Sequence, residues 1–291
     1  MTDSLRKDRA TPLPAACGVV GGGRMGSGIA HALLLAGSSV TVLEQDDGAA
    51  AAARTAILRA LDESVRRGVV DPEASAACGQ RLRVGTRAAE LAGAGLVVEA
   101  VPENQPLKVE TLRAVEDAAP QAVLASNTSS MSIGGIGEDL RRPERLLGLH
   151  FFNPVPASKL VEVVVGPVTD PALAEQARGW VHALGKTPVV VRDAPGFASS
   201  RLGVAIGLEA IRMLEDGVAT AEDIDAAMSL GYGHPVGPLK LTDLVGLDVR
   251  LGIARYLHEQ LGERFRPPAL LTEMVERGEL GRKSGQGFYT W

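Results

Sequence analysis

His150 is the histidine whose position in the sequence best suits acid–base chemistry. It follows the apolar run Leu146–Leu149 and opens the segment Phe151-Phe152-Asn153-Pro154. The run predicts a buried strand, and the carboxyl ends of strands border the ligand crevice in open α/β sheets. An imidazole there can take up or release a proton near neutral pH. Three other histidines lie in predicted helices, where a structural role is usual: His31, His182 and His258. His234 lies in a Gly/Pro-rich turn, and its role is ambiguous.

Glu162 interrupts a second apolar run, Leu160–Val165, which otherwise predicts a buried strand. A carboxylate inside such a strand is costly unless a partner compensates its charge. A histidine at the end of a neighbouring strand is a natural partner, and a Glu–His pair fixes the imidazole tautomer and raises its basicity. The alternative is that Glu162 faces solvent from an edge strand.

Small polar residues follow a third predicted strand. The segment Ser126–Ser130 comes directly after Val123–Ala125 and holds five hydrogen-bonding side chains. These residues fit turn chemistry alone. Beside a cofactor crevice they could equally hold a substrate oxygen, and so could Asn153 after His150.

The segment Gly21–Gly26 reads G-G-G-R-M-G, lies between a predicted strand and a predicted helix, and has the spacing G-x-G-x-x-G. Its first glycine allows a tight turn, its second lets a pyrophosphate approach the backbone, and its third lets helix and strand pack closely. The helix N-terminus then offers N–H groups to phosphates. Glu44, at the end of the next strand, can accept hydrogen bonds from a ribose and would repel a 2′-phosphate, which favours NAD over NADP. The alternative is a glycine-rich turn that serves only the fold.

Short apolar runs alternate with helical stretches over the first two-thirds of the chain, the pattern of a parallel sheet with crossover helices. The predicted strands are Cys17–Val20, Val40–Leu43, Leu82–Val84, Leu96–Val98, Val123–Ala125, Leu146–Leu149, Val161–Val165 and Val189–Val191. The predicted helices between them are Met25–Ala36, Ala49–Arg67, Leu107–Ala118 and Pro171–Leu184.

Two stretches depart from this simple alternation. Ala49–Gln80 predicts a helical hairpin that turns at Gly68 and projects from the sheet. After residue 192 the chain turns helical, with predicted helices Leu202–Leu214, Ala221–Met228 and Leu247–Gln260. We therefore predict an α/β fold, with a Rossmann-type domain over residues 15–192 and an all-α domain over 193–291.

Composition narrows the class of protein. The chain has 291 residues, a formal net charge of −5 and 3% aromatic residues, which disfavours nucleic-acid binding. No apolar run approaches the ~20 residues of a membrane span. Met1–Pro14 lacks an apolar segment typical of a secretory signal, so we predict a disordered leader over residues 1–14. Cys17 and Cys78 lack metal-ligand spacing, and we predict reduced, buried thiols, no metal site and a cytoplasmic protein.

The motifs together resemble the 3-hydroxyacyl-CoA dehydrogenase family, and in particular its short bacterial members that act on 3-hydroxybutyryl-CoA. The resemblance covers roughly residues 15–291. It depends on the order of these motifs: Gly21–Gly26, Ser126–Ser130, His150–Pro154, Lys159–Glu162, Pro195–Phe197, Gly281–Gly285 and Gly287–Tyr289.

The resemblance implies NAD-dependent interconversion of an (S)-3-hydroxyacyl-CoA and its 3-ketoacyl-CoA. It implies that His150 is the general acid/base, that Glu162 orients it, and that Ser129 binds the substrate oxygen beside the nicotinamide. The implied contacts to the dinucleotide are Gly21, Gly22, Gly23, Arg24, Met25, Gly26, Glu44, Glu103, Lys108, Ser129 and Lys283.

The remaining implied contacts concern the substrate and a second copy of the chain. Arg67 matches a basic residue that meets coenzyme A phosphates, and Asn153 can bind the substrate. Ser200 stands where most members have a substrate-binding asparagine, and its shorter side chain puts the role of that position in doubt. The helical C-terminal domain is the family's dimer interface, which implies a homodimer.

Two other functions stay open at this point. One is a related dehydrogenase that acts on a free hydroxy acid or on an acyl-carrier-protein thioester. The other is a non-catalytic nucleotide-binding protein with the same fold.

Overall fold

Within residues 11–291, which the computed structural model describes, an eight-stranded sheet forms the centre of the N-terminal unit. The chain divides into this unit, which ends at Asp193, and a second unit, Ala194–Trp291. The strands are β1 Ala16–Val20, β2 Ser39–Leu43, β3 Leu82–Gly85, β4 Leu96–Glu99, β5 Val123–Ser126, β6 Leu146–Phe151, β7 Leu160–Val165 and β8 Thr187–Arg192. Their order across the sheet is β3-β2-β1-β4-β5-β6-β7-β8. Each of the eight predicted runs is therefore a strand, and the predicted α/β fold is confirmed.

The sheet departs from an all-parallel arrangement at one junction, because β7 pairs antiparallel with β6. The connection between them, residues 152–159, is too short for the crossover of about a dozen residues that a parallel pair needs. The chain therefore turns straight back, and β8 then pairs parallel with β7. The reversal brings His150 opposite Glu162 in the ladder.

Helices cover the sheet and extend from it. They are α1 Arg24–Leu35, α2 Asp47–Arg66, α3 Pro72–Gln80, α4 Gln105–Ala118, α5 Ile133–Gly137 and α6 Pro171–Ala183. The hairpin of α2 and α3 has an exposed tip at Arg66–Val69, with Gly68 at φ +69° in its turn. Buried side chains of the first helix and the sheet, among them Ile29, Leu33, Val19 and Val42, form one core with Trp180 of α6.

The second unit is helical. Its helices are α7 Ser199–Glu215, α8 Ala221–Gly231, α9 Pro238–Val245, α10 Leu247–Leu261 and α11 Ala269–Glu276. Its core joins α7, α9 and α10 through residues such as Leu208, Leu239 and Leu251. In the part of the chain that is described, no helix is both long and apolar enough to cross a membrane.

Two sequence predictions concern residues at the N-terminal side of β1. Residues 1–10 of the predicted leader lie outside the described part of the chain; Thr11–Pro14 have no helix or strand, and the Pro14 carbonyl accepts a hydrogen bond from Ser38 Oγ at 2.8 Å. Cys17 and Cys78 are buried free thiols, as predicted. Burial raises the pKa of the Cys17 thiol to about 11, so this cysteine stays protonated at neutral pH.

Candidate active site

His150 and Glu162 lie opposite each other on the antiparallel pair of strands. His150 Nδ1 is 2.8 Å from Glu162 Oε2, and both side chains are buried. An ionised carboxylate only accepts hydrogen bonds, so Nδ1 carries the hydrogen and Nε2 is the nitrogen that can take up a proton. Glu162 does not face solvent from an edge strand. Its strand β7 pairs with β6 on one side and with β8 on the other, and its side chain is buried. The pair has the geometry of an oriented general base whose charged form is compensated.

The loop after His150 is held in place by a buried lysine that sequence reasoning missed. Lys186 Nζ donates to the carbonyls of Val155 at 2.6 Å and Ser158 at 2.5 Å. The ring of Phe152 lies 4.3 Å from the His150 ring, centroid to centroid, and so limits its rotation. Asn153, in the same loop, is exposed and precedes Pro154 with a cis peptide bond.

The segment after β5 bonds to both neighbouring strand ends. Asn127 Oδ1 accepts from the Phe151 N–H at 2.9 Å, which ties this segment to the residue after His150. Ser129 donates its N–H at 3.0 Å to Glu103 Oε1, and its hydroxyl lies 3.3 Å from the same oxygen. The Asn127 side chain therefore has a structural role, since it joins two neighbouring segments of the sheet. Ser129 is half-buried at the carboxyl edge of the sheet.

Two residues predicted to contact the dinucleotide form an ion pair. Lys108 Nζ is 3.2 Å from Glu103 Oε2 and 2.8 Å from Glu99 Oε1. Lys108 is wholly buried, whereas Glu103 keeps 38% of its side-chain surface exposed. In this structure Glu103 alone of the two can meet a ligand directly. Contact of Lys108 with a dinucleotide stays a prediction.

The glycine-rich loop leaves the first turn of α1 open. Gly21 has φ +91°, and a Cβ on Gly26 would lie 1.7 Å from the Gly21 carbonyl oxygen, so both positions require glycine. No side chain caps the N-terminus of α1 and no acidic residue lies in its first turn. Every other α-helix described in this unit has a side-chain cap: Asp46, Asp71, Asn104, Ser132 and Asp170. The open N–H groups of α1 are the ones suited to an anion.

A cavity of about 760 Å³ adjoins this loop. Glu44 lies in its wall and accepts from the Gly22 N–H at 2.5 Å, which fixes the carboxylate beside the loop. Around Gly23 the space is open, with no atom within 4 Å of a built Cβ. Open helix N–H groups, a fixed carboxylate and a cavity of this size fit the phosphates, ribose and adenine of a dinucleotide. Arg24 and Met25 also line this cavity.

Arg67 lies on the wall of a second cavity, of about 600 Å³, together with Glu63, His31 and Lys186. Arg67 Nε donates to Glu63 Oε1 at 2.6 Å. Arg67 and Arg66 together hold the pKa of the Glu63 carboxyl below its usual range, because both guanidinium groups bond to it. The guanidinium of Arg67 is exposed and is therefore available to a phosphate.

Two predicted site residues belong to the second unit. Ser200 is buried in the first turn of α7. Lys283 is exposed and its Nζ lies 2.5 Å from Asp248. The segment around Lys283 has a structural anchor, because Asp243 accepts at 2.9 Å from the N–H groups of Phe288 and Tyr289.

The comparisons with known proteins agree over nearly the whole chain. Residues 16–194 match the NAD binding domain of 3-hydroxyacyl-CoA dehydrogenase, and residues 196–291 match its C-terminal domain. A 3-hydroxybutyryl-CoA dehydrogenase of Mycobacterium tuberculosis (strain CDC 1551 / Oshkosh) is 46% identical over 281 residues, which cover 94% of this chain and 97% of that protein.

Two crystal structures are similar at the level of the backbone. FadB2 of M. tuberculosis aligns with a TM-score of 0.91 at 43% identity and covers 96% of this chain and 99% of its own. The (S)-3-hydroxybutyryl-CoA dehydrogenase PaaH1 of Ralstonia eutropha aligns with a TM-score of 0.91 at 35% identity, with the same coverage of 96% and 99%. The chain belongs to the 3-hydroxyacyl-CoA dehydrogenase family.

Proposed function

We propose that the protein is an NAD-dependent dehydrogenase that interconverts (S)-3-hydroxyacyl-CoA and 3-ketoacyl-CoA, with 3-hydroxybutyryl-CoA as its substrate. The observation that carries the proposal is the buried His150–Glu162 pair at 2.8 Å, at the carboxyl edge of the sheet that also bears the open glycine-rich loop. The similar proteins of M. tuberculosis and R. eutropha are 3-hydroxybutyryl-CoA dehydrogenases, which supports the choice of substrate.

In the proposed reaction His150 Nε2 removes the proton of the C3 hydroxyl, while the carboxylate of Glu162 compensates the charge that forms on the ring. The glycine-rich loop and Glu44 would hold NAD, which would supply the acceptor for the hydride of C3. Ser129 and Asn153 hold the substrate oxygen. In the reverse direction the imidazolium returns the proton to the carbonyl oxygen of the 3-ketoacyl chain.

The test is the reduction of acetoacetyl-CoA by NADH, followed at the nicotinamide absorbance, for the parent protein and His150→Ala. Loss of the general acid should lower kcat by about 10²–10⁴-fold and leave the Kd for NADH within about twofold. His182→Ala, on an exposed position of α6, is the control and should turn over at the parent rate. Turnover by His150→Ala at that rate would overturn the proposal.

The same assay separates the alternatives. A coenzyme A enzyme should strongly prefer acetoacetyl-CoA to free acetoacetate and to the acyl-carrier-protein thioester. Because Glu44 would repel a 2′-phosphate, NADPH should be a poor substitute for NADH. Inactivity across this whole panel would favour a non-catalytic nucleotide-binding protein.

We also propose that the protein is a homodimer joined through its second unit. Exposed apolar side chains lie on three of its helices: Leu202 and Ile206 on α7, Leu241 and Val245 on α9, and Val249 on α10. Exposed apolar residues on adjoining elements are typical of an interface. Light scattering should give twice the chain mass for the parent and one chain mass for Leu202→Glu. Val218→Glu is the control: Val218 is equally exposed but lies in a turn outside these helices, so this variant should keep twice the chain mass.

We further propose a cytoplasmic location. Two unlinked, buried cysteines suit a reducing compartment. Cell fractionation should recover the protein with cytoplasmic markers.

A further inference from the structure

A chain of buried polar contacts runs beneath Ser129 and begins at Glu99, a residue with no role in the proposed reaction. Glu99 ends β4 and lies beside Ser126 of β5 in the ladder. Glu99 Oε2 accepts from Ser126 Oγ at 2.6 Å, and Oε1 accepts from the Val101 N–H at 2.7 Å. These bonds fix the carboxylate of Glu99, which is wholly buried.

Lys108 of α4 is the next member of the chain. Its Nζ donates to Glu99 Oε1 at 2.8 Å and to the Val101 carbonyl at 3.2 Å. Both side chains are fully buried, so water screens the pair little and the position of the ammonium depends on the fixed carboxylate.

Glu103 carries the contact to Ser129. Its Oε2 lies 3.2 Å from Lys108 Nζ, while its Oε1 accepts from Thr128 Oγ1 at 2.5 Å and from the Ser129 N–H at 3.0 Å. Glu103 lies in a loop and is partly exposed, so it is the adjustable end of the chain. One ammonium thus lies between a fixed and an adjustable carboxylate.

We infer that Glu99 is a positioning residue for Ser129: it fixes Lys108, which fixes Glu103, which holds Ser129 where it can meet the substrate oxygen. The inference rests on the proposed function, in which Ser129 binds that oxygen. Without the charge of Glu99, Lys108 is neutralised by Glu103 alone and draws it away from Thr128 and Ser129. A misplacement of about 1 Å in a substrate-positioning group can cost as much as 10²-fold in rate.

The test is a double-mutant cycle in the acetoacetyl-CoA assay. Glu99→Gln keeps the size of the side chain and an oxygen that can accept from Val101, but removes the charge. In the parent it should lower kcat about tenfold or more, with a smaller change in KM. In Ser129→Ala, Glu99→Gln should change kcat by less than about twofold, because residues that act through one another are not additive.

Thr169→Val is the matched control, because Thr169 is also buried and hydrogen-bonded. Its hydroxyl donates to the Leu146 carbonyl at 2.6 Å, at the amino end of β6, whereas His150 lies near the carboxyl end of this strand. It should lose stability but keep the parent kcat. If Glu99→Gln does not fold, Glu99→Gln combined with Lys108→Met removes both buried charges and should fold while showing the same loss of kcat.

The outcomes separate the two proposals. Equal losses from Glu99→Gln with and without Ser129 would overturn the positioning role and leave the proposed function intact. A parent kcat in the folded variant that lacks both buried charges would do the same. A parent kcat in Ser129→Ala would show that Ser129 has no part in turnover, and the proposed role of Ser129 and the inference would fall together.

Discussion

Glu162 is costly to bury and is paired with one specific histidine, and this determines what its substitution should do. In the parent protein His150 Nδ1 lies 2.8 Å from the Glu162 carboxylate. Glu162→Gln keeps an oxygen that can accept from Nδ1 but removes the compensating charge. We expect kcat to fall at least about tenfold, though by less than the 10²–10⁴-fold expected for loss of the imidazole. Steady-state kinetics with acetoacetyl-CoA measure this, and an unchanged kcat would contradict a role for the carboxylate.

Arg67 and Arg66 both bond to Glu63, but only Arg67 lines the 600 Å³ cavity. If Arg67 contacts a coenzyme A phosphate, Arg67→Met should raise KM for acetoacetyl-CoA about tenfold with little change in kcat, the pattern of a lost ground-state contact. Arg66→Met removes the same charge outside the cavity and should leave KM within about twofold. Equal effects of the two variants would point to general charge attraction rather than a contact.

The residues of the site differ in how visible they are from sequence. Glu162 is recognisable because a carboxylate within an apolar run must find a partner, and His150 ends the neighbouring strand. Lys186 and Glu99 have no such signal, since a single lysine or glutamate at the end of an element usually faces water. Only the structure brings Lys186 to the carbonyls of Val155 and Ser158.

At the level of elements, the glycine-rich loop makes a prediction about α1. A Cβ on Gly26 would overlap the Gly21 carbonyl at 1.7 Å, whereas a Cβ on Gly23 meets nothing within 4 Å and Gly23 has φ −62°. Gly23→Ala should therefore fold with stability within about 0.5 kcal/mol of the parent. Its methyl group would stand in the space open to the phosphates and should raise the Kd for NADH about tenfold or more.

Gly26→Ala is the contrasting variant. Its overlap is with backbone that cannot move aside, so it should lose most of its stability, by about 4 kcal/mol or more. Thermal unfolding and NADH titration distinguish the two positions. Tight NADH binding by Gly23→Ala would mean that the N-terminus of α1 does not hold the phosphates.

Sequence periodicity located the strands because each is a short run made up almost wholly of apolar residues. It did not locate α5 or α11, which are short and hold few turns of amphipathic pattern. The region Leu239–Leu251 mixes apolar residues with Lys240, Thr242, Asp243, Asp248 and Arg250, and Gly246 at φ +106° divides it into α9 and α10. The antiparallel return of β7 was foreseeable in one respect, since residues 152–159 are too few for a crossover.

For the whole molecule, a net charge of −5 does not decide which ligands bind. The open N–H groups of α1 offer positive potential without a charged side chain. The acidic residues nearest the crevice are themselves engaged, Glu44 by the Gly22 N–H and Glu103 by Lys108 and Ser129. An acidic chain can therefore bind two small polyanions, because local donors and not total charge set the potential there.

The stability of the molecule should fall in mild acid because of His31, which is buried on α1. Ser64 Oγ donates to the Ala60 carbonyl at 3.0 Å, so His31 Nε2 donates to Ser64 Oγ at 2.9 Å, and Nδ1 has no partner among the described residues. Burial is the main cause that lowers the pKa of His31. A hydrogen bond to the Ala60 backbone raises this pKa in part, and the positive charge of Lys186 lowers it further.

A histidine whose folded pKa lies below its unfolded value of about 6.5 binds a proton more readily in the unfolded chain. Its stabilising contribution is complete above that pH and is lost as pH falls toward the folded pKa, with a slope of at most about 1.4 kcal/mol per pH unit. His31→Gln, whose amide can still donate to Ser64, should weaken the fall in urea-unfolding free energy between pH 7 and pH 5. His234→Gln, a half-buried position in the second unit, should keep the parent slope. Parallel curves for the parent and His31→Gln would show that other groups cause the acid sensitivity.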